Sequence, residues 1–139
     1  MSNIILWQDR YLEPGREHTG AEIGHACDQL VSHMQGSITH FEQRRASHLP
    51  LGIPDREYRI FRQTIAFEIK SPKDKLTRAQ YDLLESKKLS GQIASCGGLD
   101  ELIHLLPVVR GRALRDAQEL GWLFVKLWAA RGFRPQRGR

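Results

Sequence analysis

Apolar residues repeat along this chain at two spacings, one typical of helices and one typical of strands. From Thr19 onwards they recur every three or four positions, which predicts an amphipathic helix. Thr19 and Glu22 have the spacing of a capping box at its start. A second helix is predicted over 78–89, and Thr77 and Gln80 form a second capping box there.

Alternation with a period of two predicts the strands. Over 64–70, the apolar residues Ile65, Phe67 and Ile69 alternate with small or polar ones, as in a strand that is buried on one face. The other predicted strands span 37–41, 57–61 and 91–95.

Two more helices are predicted near the C-terminus. The first spans 99–106 and is ended by Pro107, and the second spans 112–130. The order α-β-β-β-α-β-α-α predicts an α/β fold with a single mixed central sheet flanked by helices. Neither a repeat nor a linker divides the chain, so we expect one domain over 1–130 and a basic tail over 131–139.

Charge suggests the class of partner. The chain has 139 residues and 40% hydrophobic residues, which suits one folded domain. Its net charge is +5, and the last nine residues contain four arginines and no acid. This balance favours an anionic partner whose phosphate backbone the tail contacts, the alternative being a tail that is merely solvated.

The sequence gives no sign of a membrane segment or an export signal. The stretch over 121–130 contains Lys126 and is too short to span a bilayer, and the first residues lack the pattern of a signal peptide. Cys27 and Cys96 lie far apart without metal-ligand spacing, which favours reduced thiols. We therefore expect a cytoplasmic protein.

Two acids and a lysine are predicted to converge on one hairpin. If the turn between the second and third strands is centred between Phe61 and Arg62, Asp55 lies opposite Glu68. Opposed residues project to the same face with Cβ atoms roughly 4.5–5.5 Å apart. Lys70 lies two positions beyond Glu68 and shares that face.

This group suits metal-dependent hydrolysis of a phosphodiester. Two close carboxylates raise each other's pKa unless a cation compensates them. Mg²⁺ prefers one or two carboxylates, keeps several waters and accepts phosphate oxygens. It can polarise a phosphodiester and activate water, while Lys70 would orient that water or stabilise charge on the phosphorus. A solvated strand face with a cross-strand ion pair is the alternative explanation for the isolated motif.

Four short motifs follow one another along the chain. They are Gly-Ile-Pro-Asp at 52–55, Phe-Glu-Ile-Lys at 67–70, Leu-Thr-Arg-Ala-Gln at 76–80 and Gly-Gln-Ile-Ala at 91–94. In type and order they resemble the VRR-NUC branch of the PD-(D/E)xK nuclease superfamily, in its small stand-alone form of phages and bacteria. The resemblance covers about 19–106 and implies a restriction-endonuclease-like core, α-β-β-β-α-β, followed here by C-terminal helices.

The resemblance also implies a metal and its ligands. Mg²⁺, or Mn²⁺ in its place, would be held by Asp55, Glu68 and the Ile69 carbonyl, with Lys70 as the catalytic lysine. No organic cofactor is implied.

Gln80 and Glu22 would complete the active site by the same resemblance. Gln80 would support it from the second helix, and Glu22 would add an acid from the first. Each residue also occupies the third position of a capping box, which explains it without catalysis. Both alternatives stay open for each residue.

Basic side chains flank the predicted metal site on its loops and in the tail. Such a cluster would bind a phosphate backbone without reading bases, although a solvated loop is the simpler alternative. The candidate nucleic-acid contacts are Arg44, Arg45, His48, Lys73, Lys75, Arg131 and Arg134.

The leading hypothesis is a DNA endonuclease that selects branched or junction structures, or that has weak sequence selectivity. The resemblance implies a homodimer, and the final helix with Trp128 near its end is the candidate interface. The main alternative is a DNA-binding accessory module that keeps the fold without cleavage. A basic protein–protein adaptor, which would bind no metal, is a third reading.

Overall fold

The computed structural model describes residues 7–41 and 52–130. Within these residues, three α-helices and four strands follow a short 3₁₀ helix at Trp7–Arg10. The helices are α1 (Gly20–His33), α2 (Arg78–Leu89) and α3 (Leu99–Ala130). The strands are β1 (Ser37–His40), β2 (Arg56–Ile60), β3 (Gln63–Ile69) and β4 (Ile93–Gly97).

The four strands form one mixed sheet in the order β1-β2-β3-β4. The first three pair antiparallel, whereas β4 pairs parallel to β3 after the chain crosses over through α2. The predicted α/β fold with a single mixed sheet flanked by helices is confirmed.

Helices cover β3 from both sides. Its apolar face packs with α1 and α3 in the main core, and Ala66 on its other face packs with Leu84 of α2 and Ala94 of β4. Five consecutive residues of β3, from 65 to 69, are therefore buried. The sequence predicted a strand buried on one face, and α2 is the reason that the second face is buried too.

The β2–β3 turn lies where the sequence predicted it. Ile60 pairs with Gln63, so Phe61 and Arg62 form a two-residue turn with φ of 52° and 63°. Positive φ at both central residues is the geometry that matches the twist of a hairpin. The register fixed by this turn places Asp55 and Glu68 one step beyond the Arg56–Phe67 pair.

The C-terminal helices differ from the prediction. The structure has one helix of 32 residues with Pro107 inside it, instead of two helices that Pro107 separates. Proline removes one helical hydrogen bond and costs about 3 kcal/mol in a helix interior. Ile103 and Leu106 before it and Val109 after it all pack against the core, and this packing on both sides offsets the cost.

Strand β4 also begins two residues later than predicted. Gly91 has φ of 89° and donates to the carbonyl of Lys88, so it ends the turn after α2 and does not join the sheet.

Part of the prediction lies outside the described residues. This applies to the tail over 131–139 and to Arg44, Arg45, His48, Arg131 and Arg134. Within the described residues, no helix is both long and apolar enough to cross a membrane. The cytoplasmic location stays a prediction.

Candidate active site

Asp55 and Glu68 lie against each other where β2 begins and β3 ends. The main-chain N–H of Asp55 donates to Oε2 of Glu68 at 2.9 Å, and the main-chain N–H of Ile69 donates to Oδ2 of Asp55 at 3.1 Å. Each carboxylate therefore accepts a bond from the backbone of the opposite strand. This reciprocal arrangement holds both side chains in place.

Gly52 brings this corner of the sheet to the start of α2. It has φ of 81°, which a residue with a Cβ adopts only with strain, and a Cβ at this position would collide with the main chain of Ala79. Pro54 is buried between Gly52 and Asp55. The Gly-Ile-Pro-Asp motif thus has a local cause, because it lets the chain pass close to α2 before it enters β2.

Gln80 uses both ends of its amide. Oε1 accepts from the main-chain N–H of Thr77 at 2.9 Å and so closes the capping box of α2. Nε2 donates to Oε1 of Glu68 at 2.7 Å. Gln80 therefore caps α2 and contacts Glu68 at once, since a glutamine has both an acceptor for the cap and a donor for the carboxylate. Its part in an active site stays a prediction.

Lys70 stands at the end of β3, on the same side as Glu68. Its main-chain N–H donates to the carbonyl of Gly97 at 2.9 Å and extends the parallel ladder by one step. Its Nζ lies 3.8 Å from Oε1 of Glu68, and its side chain keeps partial access to solvent. The ammonium thus lies close to the Glu68 carboxylate and is still reachable from solvent.

Glu68 is only 2% exposed. Its burial, together with the negative charge of Asp55, raises the pKa of Glu68 to about 7. A divalent cation between the two carboxylates would remove this repulsion.

The side chains present fit Mg²⁺ better than a metal that needs a full protein cage. Within the described residues there is no group of three or more His, Cys, Asp or Glu side chains that could hold a metal. Mg²⁺ requires only one or two carboxylates because water and substrate oxygens complete its shell, whereas structural zinc takes four protein ligands. The Ile69 carbonyl as a further ligand stays a prediction.

Glu22 forms its hydrogen bonds with residues other than Asp55, Glu68, Lys70 and Gln80. Its carboxylate closes the capping box of α1 with Thr19, and it accepts from Nη2 of Arg16 at 2.7 Å. The bonds from Arg16 and from the Thr19 backbone lower the pKa of Glu22 to about 2. The capping role is therefore present, and a catalytic role for Glu22 stays a prediction.

The two candidate nucleic-acid contacts that the structure describes lie in the loop after β3. Nζ of Lys73 forms an ion pair with Glu17 at 3.0 Å, and Lys75 is exposed.

A polar network centred on Asp28 was not predicted. Asp28 of α1 accepts from Nε of Arg56 at 2.9 Å and from the hydroxyl of Tyr58 at 2.7 Å, and Nε2 of His40 lies 2.9 Å from it. Burial acts to raise the pKa of Asp28, but the bonds from Arg56 and Tyr58 outweigh burial and lower it. The available signal was the position of Arg56 and Tyr58 on the face of β2 that is turned towards α1.

A cleft of about 720 Å³ is lined by Lys70 and was also not predicted. It opens between the segment before α1 and the loop after β3, with the start of α3 at its base. Lys70 lines the cleft and also contacts Glu68, so it connects the two features.

No protein-family model, curated protein or solved structure matches this chain. The resemblance to a nuclease family therefore rests on the four motifs alone.

Proposed function

We propose that this protein is a Mg²⁺-dependent endonuclease that hydrolyses DNA phosphodiester bonds, either at branched or junction structures or with weak sequence selectivity. The observation that carries the proposal is the buried Glu68 carboxylate with Asp55 beside it and Lys70 within reach. A protein that needed only a stable fold would gain nothing from placing two repelling carboxylates together.

Each residue of the group has a defined part in this proposal. Asp55 and Glu68 hold the metal ion, which when bound polarises the phosphodiester and lowers the pKa of water. Lys70 orients the attacking water or stabilises the charge that develops on the phosphate. Gln80 fixes the direction of the Glu68 carboxylate, because its own amide is fixed by the cap of α2.

DNA as the substrate is supported by charge. The net charge is +5, and candidate basic contacts lie in the loop after β3 and in the tail. Such contacts give affinity for a phosphate backbone without reading bases. A homodimer is part of the proposal, since two sites would then face a branched junction together, and exposed leucines on α3 support it.

The first experiment is a cleavage assay with supercoiled plasmid and a labelled four-way junction, in Mg²⁺, Mn²⁺ or EDTA. We expect cutting in either metal and none in EDTA, and loss of cutting in Lys70→Ala and Asp55→Ala. Asp82→Asn is the matched control, because Asp82 is exposed on α2 and pairs only with Arg78 among the ion pairs described.

Two other outcomes separate the alternatives. DNA binding without cutting by the wild type and the variants alike would favour the accessory module. A melting temperature that does not respond to Mg²⁺, without DNA binding, would favour the adaptor.

A further inference from the structure

The segment before α1 and the loop after β3 form two walls of the cleft beside Lys70, and hydrogen bonds fix each wall. In the first, Arg16 bonds to Glu13 at 3.0 Å and to Glu22 at 2.7 Å, which ties the segment before α1 to the first turn of that helix. In the second, the main-chain N–H and the hydroxyl of Ser71 both donate to Asp74, at 3.0 and 2.8 Å. Each wall is therefore held by its own bonds.

One ion pair spans the cleft from wall to wall. Nζ of Lys73 lies 3.0 Å from Oε1 of Glu17, and both side chains are largely exposed. An exposed pair of this kind is weak and gives way to a competing anion. The two walls are no further apart at this point than a lysine and a glutamate side chain together can reach, which suits a single strand.

The interior of the cleft is large enough for one nucleotide. Its volume of about 720 Å³ lies in the range of pockets that hold one small organic molecule. Leu12 and Leu76 supply aliphatic surface for a base, with the nearly buried Ile23 and Leu99 beneath them. The lining has three cations, Arg16, Lys70 and Lys73, and six carboxylates, Asp9, Glu13, Glu17, Asp74, Asp100 and Glu101. A phosphate would therefore bind where Lys70 and Lys73 lie, once Lys73 has left Glu17.

From these features we infer that the cleft binds one unpaired nucleotide of the strand that is cut, next to the scissile phosphate. In this arrangement Lys73 exchanges Glu17 for a substrate phosphate. The inference rests on the proposed function, and it narrows the substrate to DNA that is single-stranded at the point of cutting, such as a flap or an open junction arm.

The substrate test uses one labelled strand in three forms: alone, fully paired in a duplex, and as the unpaired flap of a duplex. Binding is read by fluorescence anisotropy in Ca²⁺, and cutting is read separately in Mg²⁺. We expect the single strand and the flap to be bound and cut about tenfold better than the full duplex, because an unpaired base needs no unpairing.

Two variants separate substrate binding from a merely structural bridge. Lys73→Ala is expected to weaken binding of the single strand and to lower the slope of log K against log salt by about 0.7, the value for one lost phosphate contact. Glu17→Gln is expected to strengthen binding, because it frees Lys73. If the Lys73–Glu17 pair only held the two walls together, both variants would change the DNA affinity in the same direction, since either one breaks the pair.

Lys88→Ala and Glu85→Gln form the matched control pair. These residues make an exposed lysine–glutamate pair at 3.2 Å on α2 and do not line the cleft, so neither variant should change binding.

The outcomes distinguish the two proposals. Metal-dependent cutting without preference for unpaired DNA, or with parallel effects of Lys73→Ala and Glu17→Gln, would overturn the cleft assignment and leave the nuclease intact. Selective binding with opposite effects of the two variants, but without cutting in any metal, would support the cleft as a nucleotide site and refute the nuclease.

Discussion

At the residue scale, Glu68 is a carboxylate that folding makes costly to ionise. Its pKa is about 7 in the folded protein and 4.5 for an ordinary glutamate. Between these values the folded protein binds more protons than the unfolded chain, so its free energy of unfolding falls as pH rises from about 4.5 to 7.

Asp55→Asn tests this electrostatic cost. Asparagine keeps an acceptor for the Ile69 N–H and removes the charge that faces Glu68. In EDTA at pH 8 we expect the variant to melt a few degrees above the wild type, and at pH 5 the difference should shrink. Mg²⁺ should raise the melting temperature of the wild type and leave that of the variant unchanged. A variant less stable than the wild type at pH 8 would contradict the argument.

Gln80→Ala tests whether the cap residue Gln80 also supports the active site through its bond to Glu68. The variant loses both the cap acceptor and the donor to Glu68, and we expect cutting to slow about tenfold or more. Thr77→Ala is the control because it removes the other half of the cap, at a similar cost of about 1 kcal/mol, while the Thr77 N–H can still hold Gln80. Equal rates of Gln80→Ala and Thr77→Ala, measured well below both melting temperatures, would show that Gln80 only caps.

At the scale of elements, Gly52 allows the chain that enters β2 to pass close to the start of α2. Gly52→Ala adds a Cβ that collides with the main chain of Ala79, in addition to the strain of a positive φ. Gly91→Ala is the matched control, since Gly91 has a similar φ of 89° but open space around it. We expect Gly91→Ala to cost about 1–2 kcal/mol and Gly52→Ala about 3 kcal/mol or more in urea unfolding. Similar costs would mean that the approach to α2 is not tight.

Local signals were enough to predict much of this architecture. The starts of α1 and α2 follow from their capping boxes, and the hairpin turn at Phe61 and Arg62 fixes the register that places Asp55 beside Glu68. A two-residue turn leaves a hairpin no freedom of register, so such a pairing can be derived from the sequence alone.

Features that depend on distant contacts were not predictable in this way. The continuity of α3 through Pro107 depends on packing against the core, and the burial of Glu68 depends on α2. The bond from Arg56 to Asp28 requires α1 to lie across β2, at a separation of 28 residues. A local pattern contains no information about such contacts.

At the scale of the whole molecule, α3 extends beyond the sheet that it covers. With 32 residues it is about 48 Å long, roughly twice the length of the seven-residue strand β3. Val109 is fully buried, whereas Leu114, Leu120 and Leu127 further along are 58%, 72% and 53% exposed. Three half-exposed or largely exposed leucines on one helix are the feature on which the proposed dimer rests.

Leu120→Glu tests whether this half of α3 joins two copies of the chain. Light scattering at micromolar concentration should give about twice the 16.0 kDa of one chain for the wild type and a single-chain mass for the variant, because a charge in an apolar interface is costly. Leu89→Glu is the control, since Leu89 is 88% exposed on α2 and should not affect the mass.

The oligomeric state also predicts how a junction is cut. In the dimer two active sites can act on one junction, so paired cuts should appear before the substrate dissociates. The monomeric Leu120→Glu variant should still nick in Mg²⁺, because Asp55, Glu68 and Lys70 all lie within one chain, but paired cutting should be lost. A wild type that is monomeric would contradict the dimer. A monomeric variant that still makes paired cuts would show that dimerisation is not needed for them.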